Sequence, residues 1–92
     1  VEEITIPMEF CEDKRSRAVF HEKAGMLFKR LKQYNKAVYH YQRATKYAEE
    51  IGNFLFLGSY KNNLANVYRL KGEFALAHSS EDEAIEIAHL HK

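Results

Sequence analysis

Polar side chains that could hold a peptide backbone recur on one face of a predicted helix in the stretch NNLANVY, residues 62–68. Asn is a mediocre helix former because its side chain competes for backbone hydrogen bonds, yet the apolar residues around it keep helical spacing. Asn62, Asn66 and Arg69 follow one another at i, i+4 and i+7, so they share a face. A carboxamide has two donor hydrogens and one acceptor oxygen on a short side chain. It could therefore bind both the N–H and the C=O of an extended peptide without selecting its sequence.

Side chains that could catalyse a reaction or bind a metal do not cluster in the sequence. Cys11 lies outside the helical pattern with no His nearby, which argues against a nucleophile. His78, Glu81 and Asp82 have the i, i+3, i+4 spacing that two metal ligands could use, but no third ligand is identifiable. The sequence contains no glycine-rich phosphate loop. We therefore expect no enzyme activity, no metal and no cofactor.

The composition is typical of a soluble folded chain, but its charge is unevenly distributed. No stretch reaches the roughly 18 apolar residues of a membrane helix, and a single Cys fits a reducing compartment, so we expect a cytoplasmic protein. The net charge is only +1, yet residues 14–47 hold ten Lys and Arg against one acidic residue. We expect an acidic protein partner for this region. RNA binding through phosphates and aromatic stacking is a weaker alternative, because no repeated base-reading pattern is present.

Four helices are predicted by apolar residues that recur every three or four positions from about residue 13 onward. The stripes are Phe20, Ala24, Leu27, Phe28, Leu31; Ala37, Tyr41, Ala44, Ala48, Ile51; Leu57, Tyr60, Leu64, Val67, Tyr68; and Phe74, Ala77, Ala84, Ile85, Ala88. Asp13 and Asn53 suit N-caps, while Gly52 and Gly72 suit helix ends. Turns this short would join the helices into antiparallel hairpins.

The four helices form two copies of one unit, because adding 40 to a residue number of the first copy gives the matching position of the second. This shift brings Phe20 onto Tyr60 and Phe28 onto Tyr68. It also brings three alanines of the second helix onto three of the fourth: Ala37 onto Ala77, Ala44 onto Ala84 and Ala48 onto Ala88. A shared period of caps, aromatic residues and small residues is typical of a helical-hairpin repeat.

The second unit closely resembles a tetratricopeptide repeat over residues 63–68, 71–74 and 84–87, together with Ala77. The first unit is less similar and carries the pattern at Ala24, Gly25, Phe28, Tyr34, Ala37, Tyr41 and Ala44. The long spacing of the two units, with IGN at 51–53, is similar to the longer repeats of kinesin light chains and of spindle-orientation adaptors.

Three residues depart from the family pattern. Lys32 replaces the turn glycine of the first unit, and His89 stands where many repeats have proline. Glu81 replaces a bulky aromatic residue on the last helix. This last departure suggests that the fourth helix is not buried on its full face, as at the end of a solenoid.

The resemblance implies an all-α fold, namely an α-solenoid of two antiparallel hairpins, residues 13–53 and 54–92. Residues 1–12 would form an extended N-terminal segment, either a linker or a strap lying along a groove. The first helix of each hairpin would line a concave groove. The side chains implied for peptide binding are Val19, Glu22, Met26, Lys29, Arg30, Ser59, Asn62, Asn66, Arg69 and Leu70. Met26 could equally be a packing residue.

The function implied is a non-catalytic module of a scaffold or adaptor protein that binds an extended or helical, acidic partner segment. Lys29 and Arg69 would contact acidic side chains or a terminal carboxylate through charge-assisted hydrogen bonds. Self-association is the alternative, because two oppositely charged repeats could pair through faces that a repeat cannot bury alone. A monomer with a free groove would favour peptide binding, and a salt-sensitive dimer would favour self-association.

Overall fold

The computed structural model describes residues 13–90, which fold into four α-helices. The helices are α1 (Lys14–Arg30), α2 (Tyr34–Glu50), α3 (Phe54–Lys71) and α4 (Phe74–Leu90). α1 packs on α2 and α3 packs on α4 to form two hairpins, which meet where α2 contacts α3. The described residues contain no strand, so the predicted all-α fold of two helical hairpins is confirmed. The predicted extended segment and its Cys11 lie outside the described residues.

The N-termini of α1 and α3 are set by the two predicted capping residues. The Arg15 N–H donates to Asp13 Oδ1 at 2.9 Å, and the Phe56 N–H donates to Asn53 Oδ1 at 3.1 Å. Each side chain thereby satisfies one of the backbone donors that the first turn of a helix leaves unpaired. The two caps occupy equivalent positions of the two units, as the repeat predicts.

Lys32 adopts the left-handed backbone conformation in the turn between α1 and α2, with φ of 62°. Gly72, at the equivalent position of the second unit, ends α3 and has φ of 83°. The two turns therefore share a backbone shape even where the first one departs from the family pattern. For a residue with a Cβ this conformation costs roughly 1–2 kcal/mol.

We expect Lys32→Gly to stabilise the protein by about 0.5–1 kcal/mol, because the relief of strain exceeds the entropy that glycine adds to the unfolded chain. The free energy of unfolding in urea measures this change. Gly72→Lys is the matched control and should lower the free energy of unfolding. A Lys32→Gly protein no more stable than the wild type would contradict the prediction.

The core comprises two clusters of buried residues, and both contain side chains from each hairpin. The first cluster is Ala37, Tyr41, Leu64, Ala65, Val67, Tyr68 and Ala77, and the second is Ala18, Ala44, Tyr47, Ala48, Leu57 and Tyr60. Small residues let the helices cross closely. Between α1 and α2 the ring of Tyr41 lies against Gly25, where an added Cβ would come within 3.0 Å of three ring carbons.

Most of the apolar stripe that predicted α1 faces away from the core. Phe20, Leu27 and Leu31 expose 56%, 52% and 55% of their surface, whereas Gly25 is buried. The ring of Tyr41 fills the space against α1, so only small residues fit opposite it. The periodicity thus predicts the helix correctly, but not the side of α1 that this hairpin buries.

The stripe of α4 is likewise only partly buried. Ala77 and Ala84 belong to the buried residues, whereas Phe74 and Ile85 expose 59% and 66% of their surface. This agrees with the expectation, drawn from Glu81, that the last helix is not buried on its full face.

Candidate protein-interaction face

The ten residues predicted to bind a peptide all lie on α1 and α3, the first helices of the two hairpins. Six of them are exposed: Arg30, Ser59, Asn62, Asn66, Arg69 and Leu70. Four are half-buried: Val19, Glu22, Met26 and Lys29. The exposed polar members on α3 share one helical face, because they follow one another at intervals of three or four residues.

Asn66 and Arg69 form a hydrogen-bonded pair that is joined to α4. The Arg69 Nη1 group donates to Asn66 Oδ1 at 2.9 Å, and Arg69 Nη2 forms an ion pair with Glu81 Oε2. The side chains of Arg69 and Glu81 are 42% and 35% exposed, so solvent and ligands can reach the pair. An exposed ion pair contributes only about 0–1 kcal/mol, so a carboxylate of a ligand could compete with Glu81 for this guanidinium.

Glu22 on α1 is half-buried, and its charge affects phenols of both hairpins. Burial and then the charge of Glu22 raise the pKa of Tyr41 to about 12. Burial and then the same carboxylate also raise the pKa of Tyr60 on α3, an effect that Arg15 partly offsets. The Glu22 carboxylate therefore disfavours ionisation of one buried tyrosine in each hairpin.

Met26 is placed mainly as a packing residue. It is half-buried and packs against the first core cluster, which contains side chains of α2, α3 and α4. A flexible thioether suits an irregular gap of this kind. Of the two interpretations left open by the sequence, packing is the one with a contact to support it.

Basic side chains of the first hairpin lie over aromatic rings of the same hairpin. The guanidinium carbons of Arg17 and Arg43 lie 5.9 Å and 5.8 Å from the ring centroid of Tyr47, and Lys36 Nζ lies 5.4 Å from that of Phe28. These cation–π contacts use rings that RNA would need for base stacking. The rings of Tyr47 and Phe28 are therefore already in contact with cations of the same hairpin.

A groove between α3 and α4 was missed by the sequence reasoning. Its volume is about 540 Å³, and its lining residues are Phe54, Leu55, Gly58, Ser59, Asn62, Asn63, Ala84, Ile87 and Ala88. Ser59 and Asn62 were predicted to bind a peptide, and here they line this groove. The small residues Gly58, Ala84 and Ala88 were the signal that could have predicted it, because they leave space between the two helices.

A pair of histidines between α1 and α2 was also missed. The Nδ1 atoms of His21 and His40 are 3.0 Å apart, and their rings stack with centroids 5.2 Å apart. Burial, then the charges of His40 and Arg43, lower the pKa of His21 to about 4, and burial lowers the pKa of His40. A hydrogen bond between two Nδ1 atoms needs one donor and one acceptor, so the two rings cannot both be protonated in this arrangement.

The predicted metal-ligand spacing on α4 does not form a metal site within residues 13–90. His78 Nδ1 lies 3.9 Å from Glu81 Oε1, while Glu81 is already paired with Arg69. No group of three or more His, Cys, Asp or Glu in the described part of the chain could hold a metal ion. Over the same residues, no helix combines the length and the hydropathy needed to cross a membrane.

Comparison with protein families supports the resemblance of both units. The model of a family described as tetratricopeptide repeat matches residues 16–88, a range that includes most of the four helices. No curated protein and no solved structure matches the chain. Tetratricopeptide repeats generally mediate protein–protein interactions. With two hairpins of the expected shape and a family match across them, the chain belongs to the tetratricopeptide repeat family.

Proposed function

We propose that this chain is a non-catalytic module that binds an extended, acidic segment of a partner protein along α1 and α3, within a cytoplasmic scaffold or adaptor. The observation that carries the proposal is the exposed face of α3 formed by Asn62, Asn66 and Arg69. Asn66 holds one side of the Arg69 guanidinium at 2.9 Å, which orients a bidentate donor on a surface accessible to ligands.

The amides of Asn62 and Asn66 provide the contacts that do not depend on ligand sequence. An extended peptide presents alternating N–H and C=O groups, and a carboxamide can bind either. Asn66 uses its oxygen for Arg69, so its amide hydrogens are the groups offered to a peptide carbonyl. Asn62 is exposed and lies one helical turn earlier, so two successive backbone groups of a ligand can be bound in register.

The basic residues provide selection for an acidic ligand. Arg30 is exposed and Lys29 is half-buried at the C-terminal end of α1, whereas Arg69 lies near the C-terminal end of α3. A ligand carboxylate would displace Glu81 from Arg69, exchanging one exposed ion pair for another. A neutral ligand offers no replacement for that ion pair, so the exchange favours acidic sequences.

We expect Asn62→Ala combined with Asn66→Ala to weaken peptide binding about 10–30-fold, because each lost hydrogen bond contributes about 1 kcal/mol. The probe is the tightest fluorescein-labelled peptide from an acidic peptide array screened with the wild type, and fluorescence anisotropy measures its affinity. Asn35→Ala is the matched control, since Asn35 is exposed on α2 outside the proposed face. A double variant with wild-type affinity would refute the assignment of these asparagines.

Glu81→Gln tests, in the same assay, whether Arg69 is the cation that binds the acidic ligand. Removing the competing carboxylate should strengthen binding of the acidic peptide several-fold, because Arg69 then has no ion-pair partner on α4. Binding of a matched peptide with Asn and Gln in place of Asp and Glu should not improve. Equal gains for both peptides would show that Arg69 does not select the acidic side chains.

A further inference from the structure

The exposed stripe of α1 is equivalent to the surface that α3 buries against the first hairpin. We call Phe20, Ala24, Leu27 and Leu31 the head surface. The repeat relates the two helices as follows: Phe20 with Tyr60, Ala24 with Leu64 and Leu27 with Val67. Tyr60, Leu64 and Val67 are 3%, 6% and 0% exposed, because they pack in clusters with residues of α2. The same positions of α1 have no covering helix among the described residues.

The groove between α3 and α4 is the counterpart of the surface that receives α3. We call this groove, with the lining residues given above, the tail groove. The repeat relates it to the second core cluster: Gly58 with Ala18, Ala84 with Ala44, Ile87 with Tyr47 and Ala88 with Ala48. In the first hairpin these residues are buried together with Tyr60. In the second hairpin the corresponding space of about 540 Å³ is open.

Each copy therefore carries both halves of its own hairpin–hairpin junction, one half at each end. The residues next to these surfaces also allow the head surface of one copy to take the place of α3 on another. Glu22 lies close enough to Tyr60 to raise the pKa of that phenol. At the other end Asn62 stands in place of Glu22, and Phe20, which has no hydroxyl, stands in place of Tyr60. The second junction would thus have neither a carboxylate nor a phenol at these two positions.

Charge favours contact between unlike ends. α1 carries six Lys and Arg against Glu22 alone, whereas α4 carries four acidic residues and neither Lys nor Arg. Head-to-head or tail-to-tail pairing would bring like charges together, which disfavours both arrangements. Head-to-tail contact brings the basic helix of one copy to the acidic helix of the next, and added salt should weaken it.

We propose that copies of this chain associate head to tail, with the head surface of one copy filling the tail groove of the next. Phe20 takes the place that Tyr60 has within the chain and enters the tail groove. Leu27 takes the place of Val67 and lies beside the groove, over Ala77 and Glu81, which are the counterparts of Ala37 and Tyr41. The contact is heterologous, so it does not close after two copies and grows with concentration. It would also continue the row formed by α1 and α3 into the next copy. This proposal does not rest on the binding of a peptide.

Two variants that each block one surface test the proposal on the full 92-residue chain. Leu27→Glu places a charge on the head surface, and Ala88→Trp fills the tail groove. Both residues are exposed, so the fold should survive, and far-ultraviolet circular dichroism checks the helix content. Leu76→Glu is the matched control, because Leu76 is 48% exposed on α4 but does not line the tail groove.

Sedimentation velocity over a wide concentration range should show a mass that rises with concentration for the wild type and for Leu76→Glu. Leu27→Glu and Ala88→Trp should each remain monomeric. An equimolar mixture of these two variants should form a complex of two chains, because the intact tail groove of one receives the intact head surface of the other.

Other results would overturn the proposal. If either blocking variant associates by itself, or if their mixture stays monomeric, the contact is not head to tail. A wild type that is monomeric at every concentration also contradicts it. Association that appears only after removal of residues 1–12 would identify the chain's own N-terminal segment as the occupant of the head surface.

Discussion

Replacing Tyr41 with alanine is expected to lower the free energy of unfolding by about 3–5 kcal/mol, the usual cost of deleting a buried aromatic side chain. Tyr41 is 1% exposed, and it packs in one cluster with Leu64 and Val67 of the second hairpin while its ring lies on Gly25 of α1. A domain of this size has a total stability of about 5–14 kcal/mol. The loss is therefore a large part of the whole, and urea denaturation followed by circular dichroism measures it.

Coupling between Tyr41 and Gly25 provides the control for this prediction. Gly25→Ala alone should destabilise the protein by about 1–3 kcal/mol, because the new Cβ comes within 3.0 Å of the Tyr41 ring, which is 1% exposed and packed in the first core cluster. In a protein that already carries Tyr41→Ala, Gly25→Ala should leave the free energy of unfolding unchanged or raise it by up to about 1 kcal/mol, since alanine is the better helix former. Strictly additive effects of the two substitutions would contradict the predicted contact.

Gly58→Ala is the matched glycine substitution. An added Cβ at Gly58 meets its nearest neighbours at 3.9 Å and 4.0 Å, which is ordinary van der Waals contact. This change should stabilise α3 by up to about 1 kcal/mol through helix propensity. If Gly25→Ala lowers the free energy of unfolding while Gly58→Ala raises it, close packing against Tyr41 causes the destabilisation, and the loss of a glycine as such does not.

Acidification from pH 7 to pH 5 is expected to destabilise the protein through His21. Its pKa is about 4 in the fold and about 6.5 as a free side chain, so between these values the unfolded state binds more protons than the folded state. The free energy of unfolding must then fall as the pH falls through this window. The charges of His40 and Arg43 oppose protonation in addition to burial.

Between pH 7 and pH 5 we expect the free energy of unfolding to fall by about 1–2 kcal/mol, a range that allows for the partial exposure of the His21 imidazole. The melting temperature should fall by roughly 5–10 °C. Melting temperatures at pH 7 and pH 5 measure it. His21→Gln should flatten this pH dependence, because glutamine does not titrate. A His21→Gln protein with the full wild-type pH dependence would refute the assignment.

The two hairpins build the same helix crossing from different residue pairs. The first uses Gly25 beneath the ring of Tyr41, whereas the second has Ala65 and Glu81 at the equivalent positions. Glu81 turns instead to Arg69, with which it forms an ion pair. The departure of Glu81 from the family pattern is thus accompanied by a partner on α3, which the sequence pattern alone did not indicate.

Local chemistry explains why the sequence by itself determined the helices, their caps and the repeat of the two units. N-caps such as Asp13 and Asn53, and a left-handed residue such as Gly72, act through backbone groups a few positions away. The helical face shared by Asn62 and Asn66 follows from the pitch of the α-helix. Such features depend on neighbours in the chain, so their order along the sequence is sufficient to predict them.

Only the tertiary structure decided which apolar face each helix buries. A helix in a stacked repeat has one apolar face toward its own hairpin and another toward the neighbouring hairpin, and both appear in the same periodic pattern. α3 has a neighbour, so Tyr60 and Val67 are buried, whereas their counterparts Phe20 and Leu27 on α1 are exposed. The His21–His40 contact and the Arg69–Glu81 pair likewise depend on the register between helices, which no spacing within one helix specifies.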